Sequence, residues 1–232
     1  MIRFYYNLSP NPMKVALCLE ELGLPYEPVP VDPRKGEQFD AAYAAINPNA
    51  KVPAIVDGET TVFDSNAILL YLTEKAGRFL PRAETGGGET GRGEMLSWLM
   101  FVATGIGPFS GQCVHFRHFA PKDAGAYAMD RYVFEARRHW EVLDKRLADR
   151  AFTLGDEYTL VDMAVWGWAR MVPFMLGEDA FGGLPNVKRL LDTVNARPAA
   201  QRAEGLKGRH AFKTDFDDEA RRNMFRFLKP AA

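Results

Sequence analysis

Residues 50–72, AKVPAIVDGETTVFDSNAILLYL, decide how the first part of this chain folds. VPAIVD and TTVFD read as two short strands, and Asp57 and Gly58 between them are turn residues that mark a hairpin. SNAILLYLTEKAG then reads as a helix, with Ser65 a natural N-cap and Gly77 a natural C-terminal stop. Pro53 interrupts the first apolar run. On the residues alone, a trans proline closing an edge strand is the expected geometry, since only about 5–6% of X-Pro bonds are cis in folded proteins. A cis Val52-Pro53 bond would instead turn the Val52 main-chain groups outward, where an extended peptide could pair with them.

Working outward, IRFYY (residues 2–6) is β-prone and is followed by the polar loop NLSPNP and by MKVALCLEELG. Val15, Cys18, Leu19 and Leu22 form an apolar helical stripe there, and Gly23 ends it. PYEPVPVD reads as a proline-bearing strand suited to a sheet edge, and FDAAYAAI as a short helix. The order βαβαββα fills residues 1–81. Residues 82–93, RAETGGGETGRG, hold five glycines and read as a linker. Residues 94–232 carry only helical patterns. In YAMDRYVFEARRHWEVLDKRLADR, Tyr132, Ala136, Trp140, Leu143 and Leu147 recur at helical spacing. TLVDMAVWGWARMV opens with Thr159 and Asp162 as a variant capping box. The expected fold class is therefore α/β plus all-α.

The 232 residues are 47% hydrophobic and 25% charged, with a formal net charge of −1. With no basic stripe, nucleic acid is not an expected partner. The amino terminus has no secretory h-region, and no apolar run reaches the roughly 20 positions of a membrane span. A cytoplasmic protein with no membrane partner is expected. The two cysteines, Cys18 and Cys113, form no CxxC pair, so redox chemistry would need a thiol from elsewhere. His115 and His118 in VHFRHF lack a third ligand nearby and read as lining the cavity between domains, so no metal is expected. Trp166 and Trp168 read as packing. Phe101, Phe109, Phe116 and Phe119 are candidates for an apolar substrate wall.

Two stretches carry the candidate chemistry. The free N–H groups of a helix starting at Ser65 make a carboxylate site, and Asp64 beside it suits an ammonium, so together they match an amino-acid zwitterion. Capping alone also explains Ser65. In NLSPNP, Ser9 and Asn11 can donate hydrogen bonds to an anion at the first helix start, and a thiolate is such an anion.

A zwitterion, a peptide backbone and a thiol together describe glutathione. The stretches NPNAKVPAIVDG, FDSNAILLYL and TLVDMAVWGW resemble the glutathione transferases, which implies a thioredoxin-like first domain that binds glutathione and an all-helical second domain that forms the second-substrate site. SPNPMKVALCLEELGLPYE, GEQFDAAYAAINPNAKVPAI, GPFSGQCVHF and YAMDRY are similar to the Nu-class bacterial disulfide-bond oxidoreductases. That resemblance implies one or two glutathione molecules per subunit, no use of a protein cysteine, a small-molecule disulfide or electrophilic substrate, and a homodimer. An apolar face on the Trp98-bearing helix is compatible with the dimer.

Carried over by resemblance, Ser9 and Asn11 are thiol-stabilising donors and Val52-Pro53 is the cis-proline pair. Gln38 and Lys51 lie near the glycyl end and backbone of the peptide, Asp64 and Ser65 grip the γ-glutamyl group, and Arg131 lines the open site. Two residues depart from the family pattern: Ser9 stands for a threonine, and Asp64 for a glutamate of longer reach. The implied reaction is glutathione-dependent disulfide reduction. Conjugation of electrophiles or reduction of organic hydroperoxides is the alternative within the fold, and non-enzymatic glutathione binding is the alternative outside enzymes.

Overall fold

The computed structural model describes residues 1–81, 89–121 and 125–227, without the side chains of residues 89 and 90. The first domain runs β1 (Ile2–Tyr6), α1 (Pro10–Leu22), β2 (Tyr26–Pro30), a 3₁₀ turn (Glu37–Phe39), α2 (Ala41–Ile46), β3 (Ala54–Asp57), β4 (Thr60–Phe63) and α3 (Ser65–Ala76). This is the thioredoxin-like βαβαββα order, and its four strands lie in the order β2-β1-β3-β4. β1 is parallel to β2 and antiparallel to β3, and β3 is antiparallel to β4. The prolines of β2 are tolerated because that strand has one neighbour only.

The two-residue period of β1 sorts its side chains by face. Ile2, Phe4 and Tyr6 join the large core that contains α1 and α3, whereas Tyr5 packs on the other face with Val31, Tyr43 of α2 and Ala54.

The remaining regular elements among the described residues are helices: α4 (Glu89–Phe101), a π-helical segment (Val102–Ile106), α5 (Gly107–Val114), a second π-helical segment (His115–Phe119), α6 (Ala126–Arg146), α7 (Leu160–Ala169), α8 (Val172–Leu176), α9 (Pro185–Asn195), α10 (Pro198–Glu204) and α11 (Asp218–Met224), with 3₁₀ segments at Glu178–Gly183 and Gly205–Gly208 and an isolated bridge between Phe152 and Gly155. Of the linker expected over 82–93, residues 82–88 lie outside the described residues. Residues 89–93 already belong to α4, so the glycines there do not stop a helix whose later residues, Met95 and Leu99, are buried in the core. Among the described residues, no helix is long and apolar enough to cross a membrane.

Helix α7 is buried along its whole length, and this suits a segment that is apolar on every side. Its start is built on Asp162, which is fully buried. One carboxylate oxygen accepts from the Thr153 N–H at 2.8 Å, and the other from the Thr159 N–H at 2.8 Å and the Thr159 hydroxyl at 3.1 Å. Burial raises the pKa of this carboxyl, and the hydrogen bonds oppose that shift. Asp162→Ala strands two buried N–H groups, so it should destabilise the protein by about 3 kcal/mol, read as a lower urea midpoint at unchanged slope. Asp162→Asn, which keeps one acceptor, should lose less.

Candidate functional site

A cavity of about 650 Å³ opens where the loop after β1, the segment before β3, the start of α3 and the end of α11 converge. Ser9, Asn11, Gln38, Lys51, Val52, Pro53, Asp64 and Ser65 all line it. Arg131 is not among the lining residues. It sits on α6, its side chain is more than half exposed, and it pairs with Glu135 one turn on at 3.5 Å.

The loop before α1 is organised by Asn7, which sequence reasoning missed. Its side-chain oxygen accepts from the Ser9 N–H at 2.9 Å and from the Ser9 hydroxyl at 2.6 Å. The Ser9 proton therefore points at Asn7, not into the cavity. Pro10 and Pro12 have no N–H, which leaves Asn11 the one residue of that first turn able to offer a main-chain donor ahead of Met13. The Asn11 side chain adds an amide. Its oxygen accepts from the Trp168 indole N–H at 3.0 Å.

The Val52-Pro53 bond is cis. The residues before it are pinned from α2: Tyr43 and Asn47 donate to the Lys51 carbonyl at 2.6 and 2.5 Å. Val52 precedes β3 and stands outside the pairing of that strand with β1 and β4. Gln38 is buried, and its amide N–H groups reach the carbonyls of Pro33 at 3.4 Å and Asn223 at 3.3 Å. Its side-chain oxygen is buried without a hydrogen-bond partner among the described residues.

At the start of α3 the structure corrects the expected cap. Asp64, not Ser65, is the N-cap: its Oδ1 accepts from the Asn66 N–H at 2.8 Å and the Ala67 N–H at 3.2 Å. The Asp64 backbone lies at φ 72°, which is strained for a residue with a Cβ. Beneath it lies Lys14 of α1, 1% exposed, with its ammonium 3.4 Å from the Ser65 hydroxyl and 3.5 Å from the Asn66 side-chain oxygen. Burial pulls the Lys14 pKa down to about 7, against the attraction of Asp64.

The far wall of the cavity comes from the tail. Met224 and Phe225 line it with Val31, Val52 and Phe63. Asn223 donates to the Arg34 carbonyl at 2.9 Å, Arg226 stacks over Phe39, and Phe225 packs on His115 and Phe119, so this segment bridges both domains. Phe101, Phe109, Phe116 and Phe119 do not line this cavity. Phe101 and Phe109 pack on His139, and Phe116 on Tyr132, within the helical layer. His115 and His118 do not line it either: His118 stacks on Phe174 and His115 is edge-on to Phe225. Both cysteines are buried, and burial raises the pKa of each thiol.

Two family models match the chain. The glutathione S-transferase N-terminal domain matches residues 4–82, and the C-terminal domain residues 109–198. The chain is 40% identical to the disulfide-bond oxidoreductase YfcG of Escherichia coli over 88% of this chain and 94% of that protein. A glutathione transferase from Burkholderia graminis, solved with two glutathione molecules per subunit, superposes with a TM-score of 0.82 at 36% identity, over 90% of this chain and 89% of that one. A Pseudomonas putida glutathione transferase with one glutathione disulfide per subunit gives 0.80 at 34% identity, over 89% and 92%.

The depressed Lys14 pKa has a measurable sign. Between about pH 7 and 10.5 the unfolded chain holds a proton on Lys14 that the folded chain has released, so stability from this position rises with pH through that window. The stability of the parent minus that of Lys14→Met, from urea unfolding at each pH, should therefore be larger at pH 10 than at pH 7. A flat difference would mean that Lys14 remains charged when buried.

Proposed function

The chain belongs to the glutathione S-transferase family, and we propose that it reduces small-molecule disulfides with bound glutathione, using no thiol of its own. The observation that carries this reading is a side-chain donor, Asn11, set at a helix start in the cavity while both protein cysteines are buried with raised pKa values. A thiolate must be the nucleophile in disulfide exchange, and neither Cys18 nor Cys113 can supply one there.

The residues fit the peptide. Gln38 lines the cavity, and Val52, outside its strand's ladder, offers main-chain groups to an extended backbone. Lys51, which lines the cavity, is proposed to pair with the glycyl carboxylate. The Ser65 N–H and hydroxyl suit the γ-glutamyl carboxylate, backed by the Lys14 amine, which takes up a proton below about pH 7, and the Asp64 oxygen not used in capping suits the ammonium. When bound, glutathione supplies thiol–disulfide exchange: two glutathiones become glutathione disulfide as one substrate disulfide becomes two thiols. Asn11 lowers the thiol pKa by donating to the thiolate, aided by the positive end of α1. Ser9 adds a donor only after its hydroxyl turns away from Asn7.

The reading extends to one or two glutathiones per subunit and to a homodimer. Exposed Phe63 and Met100 are compatible with a covered face. A second reading, conjugation of electrophiles or reduction of hydroperoxides by the same thiolate, is favoured by the apolar wall of Val31, Phe63, Met224 and Phe225. High turnover of a chlorinated nitrobenzene with little of hydroxyethyl disulfide would select it.

With hydroxyethyl disulfide and glutathione, Asn11→Ala should lose roughly 10- to 100-fold in rate, the range of a hydrogen bond to a charged group. Ser9→Ala should lose less, and Cys18→Ala should retain the parent rate. Loss of rate in Cys18→Ala at unchanged folding would overturn the proposal.

A further inference from the structure

Asn11 stands between two cavities. It lines the large one described above and a smaller one of about 270 Å³, which lies between the two domains and is also lined by Lys14, Gly107, Gly111 and Trp168. Trp168 lines only the smaller one. An indole N–H is a donor and never an acceptor, so the 3.0 Å contact fixes the Asn11 amide oxygen on the Trp168 side. The amide N–H groups then lie at the end of the amide away from the indole, no acceptor among the described residues is paired with them, and the residue lines the large cavity. Without the indole, the two ends of the amide would be free to exchange, and the flipped form presents an acceptor to an anion.

The indole is itself held. Trp168 is 9% exposed on α7, and the glycine at 107 leaves room for its ring, since a Cβ there would stand 3.3 Å from the indole nitrogen. Its neighbour Gly167 lets α7 touch α1 at Pro10, the residue before Asn11. A ring this constrained can act as a reference point for a mobile amide.

We infer that Trp168 is a positioning residue of the thiol site: by holding the Asn11 oxygen, the helical domain fixes that amide as a donor toward the glutathione thiolate. The inference rests on the reading of Asn11 given above. It makes Trp168 more than packing, because an apolar ring of equal size would fill the same space without setting the amide.

The test is the pH dependence of thiolate absorbance near 240 nm for glutathione bound to the parent, Asn11→Ala, Trp168→Phe and the double variant, each at saturating glutathione with folding checked by thermal melting. Trp168→Phe should raise the midpoint by about one pH unit, and Asn11→Ala by at least as much. The double variant should match Asn11→Ala, since the indole acts through that amide. Should Trp168→Phe fold poorly, replacement by benzothienylalanine keeps the fused ring, removes the N–H, and should give the same shift. A parent-like midpoint in the well-folded Trp168 variant, or additive shifts in the double, overturns the inference while leaving Asn11 as the donor. A parent-like midpoint in Asn11→Ala overturns both.

Discussion

The backbone of α7 passes so close to α1 that a single Cβ at position 167 would come within 2.5 Å of both the Pro10 carbonyl and the Lys14 side chain, and the arrangement of the site follows from that approach. It brings Trp168 against Asn11, closes over Lys14, and sets the helical domain directly behind the loop that begins α1. The capping box at Thr159 and Asp162 fixes where α7 begins. Around this contact, Arg197 forms a bidentate pair with Glu21, Arg202 reaches Glu20 at 2.7 Å, and the Leu160 N–H donates to Phe79 at 3.0 Å. The large core runs without a break from β1 through α1 and α3 into α7 and α9, so the domains are one hydrophobic unit.

Lys14 illustrates what that approach costs and gives. A buried ammonium is unfavourable without a partner, and its two oxygen neighbours are at the long end of hydrogen bonding. The same position puts an amine that gains its charge below about pH 7 beneath the start of α3, where the helix dipole already favours an anion. Asp64 is drawn both ways: one oxygen serves the helix, and the residue lines the cavity.

Local patterns made the first domain legible. The alternation in IRFYY, the turn at Asp57-Gly58 and the stop at Gly77 each depend on a few neighbouring residues, and the strand and helix order follows from them. The residues placed around the cavity from Ser9 to Ser65 were legible for the same reason, since they lie in loops with their own turn and capping chemistry. What escaped was long-range. Nothing local to AVWGWARM says that its second tryptophan meets a helix start 157 positions earlier, and nothing in DDEARRNMF says that Met224 and Phe225 wall a cavity floored by residue 9. The Ser65 cap was misassigned because both Asp and Ser cap well, and only the backbone at Asp64 decides between them.

The tail has a consequence in the order of synthesis. The cavity is floored by residues of the first domain and walled by Met224 and Phe225, so its two sides leave the ribosome at different times. The thioredoxin-like sheet and the buried α7 can assemble while the wall is still unmade, because N-terminal parts fold first as the chain emerges. A nascent chain is therefore a scaffold before it is a vessel, and the enclosure becomes whole only with α11.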